Sequence, residues 1–198
     1  MAARLLAEHD VTVFNRSPDK ARALADQGAR FSTSAAEAVA GAEIVFTMVA
    51  DPPAVRDLAL GETGFLTAMD TNALWVDMTT GRPALSRELA ASAREPGIRF
   101  LDAPVAGSRP QAENGALVFF VGGDAADLDQ VRPCLEQLSG RIVHTGGHGQ
   151  GMALKMVVNH LLGTAMQAFA EGFHLGENLG LDRALRCWPR RFPHPFST

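Results

Sequence analysis

The chain has 198 residues, 46% of them hydrophobic and 20% charged, with a formal net charge of −4 and two cysteines. That length can bury a proper core in one domain plus part of a second, and a weakly acidic balance gives no electrostatic footprint for nucleic acid or an anionic membrane. No apolar stretch reaches membrane-spanning length, no secretory leader pattern opens the chain, and Cys134 and Cys187 lack metal-ligand spacing, so the expectation is a cytoplasmic enzyme or binding domain without a disulfide framework or metal.

Residues 1–8 read as a helix without a cap, and residues 11–14 as a short buried strand. Ser17 is positioned to cap the next helix, with Pro18 in its first turn and Gly28 just past its end. Ser34-Ala35-Ala36-Glu37 has the form of a capping box. Residues 43–48 predict a strand halted by Asp51-Pro52-Pro53, and residues 74–77 predict another. A helix over 85–94, strands over 99–101 and 117–121, and a helix over 124–138 follow. Strands and helices alternating at this size argue for a mostly parallel sheet covered on both faces. From Gly151 to about Leu181 the pattern becomes one long apolar helix with small residues at Gly163, Ala165 and Ala168. Such a helix leaving an α/β domain usually opens an all-helical second domain. The tail from Cys187, with Pro189, Pro193 and Pro195, has no helical period and is expected to be disordered.

One side chain stands out. Eighteen residues are Lys or Arg, yet Lys20 and Lys155 are the sole lysines. Lys155 interrupts an apolar run, and Asn159 follows one helical turn later, so ammonium and carboxamide share a face. Burying an ammonium is costly, and burial lowers its pKa toward the range where it can trade protons. Arginine cannot do that, because its guanidinium stays protonated. The competing reading is a lysine whose stem covers apolar surface while its head reaches water. His144, His148 and His160 carry no pattern that asks for a catalytic role, and no elbow motif surrounds any serine.

Three stretches together resemble the β-hydroxyacid dehydrogenase family, which includes 3-hydroxyisobutyrate dehydrogenases and glyoxylate/succinic semialdehyde reductases. Asp102-Ala103-Pro104-Val105-Ala106-Gly107-Ser108, continued by Ala112-Glu113-Asn114-Gly115 and Val121-Gly122-Gly123, is similar to the family's substrate-binding signature. Gly149-Gln150-Gly151 with Lys155 and Asn159 resembles its catalytic signature, and Val76-Asp77-Met78-Thr79-Thr80 its cofactor-side turn. The resemblance implies a Rossmann-like doubly wound sheet lacking its first strand in residues 1–148, the first helix of an all-helical domain in 149–184, and an irregular tail in 185–198. The family opens with a strand and a Gly-x-Gly-x-x-Gly turn that carries the cofactor pyrophosphate. This chain begins in the helix after that turn, from which weakened cofactor affinity is expected.

By the same resemblance, Asn15, Arg16 and Ser17 stand where an acidic residue would select NAD, and their basic, hydrogen-bonding character implies NADP. A capped surface turn with a solvated arginine is the alternative. Met48, Val49 and Ala50, with Thr80, are placed beside the cofactor; core packing and turn chemistry are the alternatives there. Ala106, Gly107 and Ser108 would receive a substrate carboxylate, although alanine stands at 106 where the family usually has serine. The implied reaction is hydride transfer between the cofactor and a small hydroxy acid or aldehyde acid, with Lys155 as acid or base and Asn159 orienting it. An inactive fragment, or a binding protein on the same fold, is the second expectation. Homo-oligomerisation belongs to the full-length family and is doubtful for this chain.

Overall fold

The structure, a computed structural model, describes residues 1–181. The expectations of disorder from Cys187 and of an irregular tail over 185–198 therefore lie outside the described residues. Two compact units divide inside the last helix, one comprising Met1–Met156 and the second beginning at Val157. No helix among the described residues is long and apolar enough to cross a membrane.

The first unit alternates short strands and helices. Helix α1 (Ala2–Leu5) leads to β1 (Thr12–Val13), α2 (Pro18–Ala25), β2 (Arg30–Phe31), α3 (Ala35–Val39), β3 (Ile44–Thr47) and α4 (Pro52–Leu60). Then come β4 (Leu74–Asp77), α5 (Pro83–Arg94), β5 (Arg99–Asp102), β6 (Val105–Ala106), α6 (Arg109–Asn114), β7 (Leu117–Gly122), α7 (Ala125–Glu136), β8 (Ser139–Gly146) and α8 (Gln150–Asn178). Strands β3, β4 and β5 pair in parallel, as do β7 with β8 and, in a sheet of their own, β1 with β2. Strand β7 runs antiparallel to β5 and β6 in one continuous register, Asp102 facing Gly122, Val105 facing Phe119 and Ala106 facing Val118. The sheet is thus mostly parallel, with helices as expected from the alternation.

Two buried clusters hold it. Leu74, Val76, Leu101, Phe119, Val121, Leu128 and Leu135 fill one cluster; Val55, Phe65, Trp75, Leu85, Leu89 and Phe100 fill the other. Alternate residues of β4 and β5 serve opposite clusters, the period-two rule of a strand buried on both faces. Trp75 is fully buried, edge-on to Phe65 at 5.2 Å and to Phe100 at 4.9 Å.

Several local expectations change. The opening helix covers Ala2–Leu5 rather than eight residues; Leu5 alone is buried in it, so nothing rewards another turn. Ser17 makes no side-chain cap bond on α2; Asn15 Oδ1 instead accepts from its amide at 2.9 Å. Ser34 Oγ caps α3 by accepting from the Glu37 amide at 3.1 Å, but the Glu37 carboxylate turns to the Ser32 and Thr33 hydroxyls, leaving the box half-built. Asp51-Pro52-Pro53 stops β3 and also starts α4, with Asp51 Oδ1 accepting from Ala54 N at 2.9 Å. Residues 112–115 lie in α6 and its left-handed end at Gly115. Gly163, Ala165 and Ala168 are exposed, and a methyl group at Gly163 would meet nothing among the described residues. The second unit's part of α8 presents Val157, Leu161, Leu162 and Met166 to solvent.

Candidate functional site

Strands β3, β4 and β5 end together in register, with Thr47 opposite Asp77 and Asp77 opposite Asp102. In open α/β sheets this carboxyl edge is where ligands bind. Two apolar strands here end in buried aspartates, which demands compensation. Asp77 Oδ1 accepts from the Thr47 hydroxyl at 2.8 Å and from the Thr79 amide at 3.1 Å. Trp75 Nε1 donates in turn to Thr47 Oγ1 at 2.9 Å, and Val49 N donates to Thr79 Oγ1 at 3.2 Å. Burial pushes the Asp77 carboxyl up to about 6, against the pull of the Thr47 and Thr79 hydrogen bonds. This network joins the turn after β3 to the turn after β4.

Asp102 does the same for the start of α8. Its Oδ1 accepts from Gly149 N at 2.6 Å and its Oδ2 from Met152 N at 2.9 Å. Burial raises its carboxyl above the usual range, opposed by those two amides and by the nearby His148 ring. His148 itself meets the Phe100 carbonyl through Nε2 at 2.9 Å, and His144 meets the Gly123 carbonyl at 3.0 Å, so both histidines serve structure. The fit of helix to sheet is close. A Cβ at Gly151 would clash with the Phe120 carbonyl oxygen, and one at Gly122 would lie 2.7 Å from Asp102 Oδ1. Gly81 N, in the turn after β4, points at Met152 Sδ at 3.0 Å.

Lys155 is therefore the sixth residue of a helix seated on this edge. It is half-buried, and burial lowers its ammonium pKa. Among the described residues it has no hydrogen-bond or ion-pair partner. Asn159 lies four positions further along α8 and is exposed.

The remaining expected site residues divide. Asn15, Arg16 and Ser17 follow β1 and are exposed, Arg16 without a partner among the described residues. Met48 is 53% exposed, so core packing does not explain it, whereas Val49 packs partly against the second cluster. Ala50 and Thr80 are exposed on the turns that the Asp77 network joins. Gly107 takes φ +122, a conformation open to glycine, and a Cβ there would crowd Leu117 Cδ2 at 2.9 Å. Ser108 is less available than expected: its amide and its hydroxyl both donate to Gln111 Oε1, at 2.9 and 2.7 Å.

Sequence reasoning placed Asp77 and Asp102 inside motifs without giving either a task. The signal was present: an acid closing an otherwise apolar buried strand must find hydrogen-bond donors, and here those donors are the site's own turns.

Residues 1–146 match the model of the NAD-binding domain of 6-phosphogluconate dehydrogenase. The 3-hydroxyisobutyrate dehydrogenase of Pseudomonas aeruginosa is 40% identical over 186 residues, covering 93% of this chain and 62% of that protein. The chloroplastic glyoxylate/succinic semialdehyde reductase 2 of Arabidopsis thaliana is 36% identical over 183 residues, covering 92% of this chain and 51% of its own length. The solved 3-hydroxyisobutyrate dehydrogenase of Mycobacterium tuberculosis with L-serine superposes with a TM-score of 0.86 at 38% identity, over 92% of this chain and 62% of that one. The chain thus spans less than two thirds of the length of these relatives. On these matches it belongs to the β-hydroxyacid dehydrogenase family, and its first 146 residues form a nicotinamide-dinucleotide-binding domain of the 6-phosphogluconate dehydrogenase type.

Proposed function

We propose that this chain carries the cofactor- and substrate-facing part of an NADP-preferring oxidoreductase acting between a small hydroxy acid and its aldehyde acid counterpart. The 3-hydroxyisobutyrate, glyoxylate and succinic semialdehyde chemistries are the candidates. The observation that carries the reading is Lys155: a half-buried amine, without a partner among the described residues, on a helix whose start is pinned to the carboxyl edge of the sheet. In this reading residues 1–148 are the dinucleotide-binding domain, and α8 opens a helical second domain.

The residues present suit a nicotinamide dinucleotide. Arg16, exposed and unpaired among the described residues, offers positive charge for a 2′-phosphate, with Asn15 and Ser17 beside it. Exposed Met48, with Val49, Ala50 and Thr80, lines the turns that the Asp77 network holds in place. The cofactor, when bound, supplies or accepts the hydride. The chain's own task is the proton. Lys155 Nζ gives a proton to the carbonyl oxygen during reduction, and as the neutral amine takes it from the hydroxyl during oxidation. Asn159 orients the hydroxyl or the amine, and the backbone of Ala106 and Gly107 receives the carboxylate.

A second reading, an inactive or binding protein on the same fold, draws on the carboxylate cradle. Ser108 spends both its donors on Gln111, and Ala106 has no hydroxyl to add. Calorimetry separates the two. NADPH is expected to bind at least about tenfold tighter than NADH, and Arg16→Asp to erase or invert that preference. Equal affinities unchanged by Arg16→Asp would make Arg16 a surface residue; no binding of either would favour the second reading.

A further inference from the structure

We propose that Asp102 is a positioning residue whose carboxylate sets Lys155 at the carboxyl edge of the sheet; the inference rests on the reading of Lys155 as the proton-transfer group. A helix start leaves four amides without intrahelical partners. At α8 they are distributed with care. Asp102 takes Gly149 N with one oxygen and Met152 N with the other, while Gln150 N goes to the Gly147 carbonyl at 3.1 Å. Ala153 N then begins the helix ladder on the Gly149 carbonyl at 2.9 Å. Lys155 follows Met152 by three positions on the same helix, so whatever fixes the Met152 amide fixes the root of the amine.

An ordinary cap would not need this residue. Serine, threonine or asparagine caps a helix without burying a charge. A carboxylate at a fully buried site is costly, and here its register neighbour on β4 is a second buried acid, Asp77. What aspartate offers in exchange is two acceptor oxygens, able to hold two amides at opposite ends of one turn. The surroundings remove the remaining slack. Gly122 and Gly151 let the helix approach β5 and β7 more closely than any Cβ would allow, and Met152 Sδ meets Gly81 N on the third side. Among the described residues, Asp102 is thus the one group bonded to the helix start from inside the sheet. His148 and Asp77 are the titratable groups that face it.

The test uses the two lysines of the full chain. Side-chain NMR of lysine-labelled protein yields two amine signals, with exposed Lys20 as the internal reference. In the native chain burial lowers the Lys155 ammonium pKa. In Asp102→Asn it is expected to move up, as the helix start loosens and the amine gains water. The amides of Gly149 and Met152 should at the same time lose at least about tenfold of their exchange protection. The sign is diagnostic, because removing an anion without moving the amine would lower the amine's pKa further. A Lys155 titration that falls or stays put in Asp102→Asn overturns the proposal. Should Asp102→Asn not fold, exchange in the native chain decides: protected Gly149 and Met152 amides support the clamp, and amides exchanging as freely as an open loop refute it. Turnover is not read, so an active Lys155→Ala would remove the proton-donor role without touching this result. An inactive Lys155→Ala beside an unmoved Lys155 signal would refute the role of Asp102 alone.

Discussion

The two edges of the main sheet are built from the same strands and use their polar groups in opposite ways. At the amino edge, Arg99 opens β5 and is fully engaged: Nε and Nη2 donate to the Asn72 carbonyl at 2.9 and 2.6 Å, and Nη1 meets Asp127 at 3.0 Å. That edge is a clasp, with its charge neutralised inside the fold. At the carboxyl edge, the acids Asp77 and Asp102 are satisfied by the turns of the candidate site, while Lys155, like Arg16 after β1 of the separate two-stranded sheet, has no partner among the described residues. An unpaired cation is a poor stability device and a useful binding or proton-transfer device. On the proposed reading, the difference between the edges is the physical signature of function.

The comparison breaks if function does not follow the unpaired cations. Lys155→Ala carries the largest expected effect, a loss of about two to four orders of magnitude in turnover with NADPH affinity nearly unchanged. Lys155→Arg should not restore it, since guanidinium does not release its proton. Next comes Gly151→Ala, whose methyl would press on the Phe120 carbonyl. We expect about 3 kcal/mol less stability in denaturant titration, together with lost turnover, as α8 is lifted from the edge.

Asp77→Asn sharpens the account through pH. The folded-state Asp77 carboxyl lies at about 6 against 3.8 for a free aspartate. The native state thus binds this proton more readily than the unfolded chain. Its burial penalty is complete above about pH 6 and relieved as pH falls toward about 4. Asparagine keeps the Oδ1 acceptor for Thr47 and Thr79 and carries no charge. The variant should be more stable than the native chain at neutral pH, by up to about 3 kcal/mol, with the gap closing toward about pH 4. A gap independent of pH would show that Asp77 titrates in the folded state as it does in the unfolded chain. Arg99→Ala, at the other edge, should cost only about 1–2 kcal/mol and leave turnover unchanged. A large loss of turnover there would dissolve the distinction between the edges.

Much of the architecture was legible because it follows from patterns with a period. Buried strands 3, 4, 5 and 7 read as short apolar runs, and α8 as a long apolar helix, within a few residues of the observed ends. Strand β8 was not legible: Ser139-Gly140-Arg141 begins it with polar and flexible residues, and only its pairing to β7 makes it a strand. Proline misled at Asp51-Pro52-Pro53, where a stop signal for a strand is equally a start signal for a helix. At the site, Lys155 announced itself by composition and context. The tasks of Asp77 and Asp102 did not, because a buried carboxylate is explained by amides distant in the chain: Gly149 is 47 positions from Asp102. Ser108 illustrates the same limit in reverse, since its hydroxyl looks free in the sequence and is claimed by Gln111 one helical turn away.

The most direct measurement is the pH profile of NADPH-dependent reduction of a small aldehyde acid such as glyoxylate. Burial lowers the Lys155 ammonium pKa, and reduction needs the protonated form. Turnover should hold at neutral pH and fall as pH rises through a group titrating below the ordinary lysine range, and Lys155→Ala should abolish that limb. A profile flat across this range, or one that Lys155→Ala leaves unaltered, would contradict the assignment.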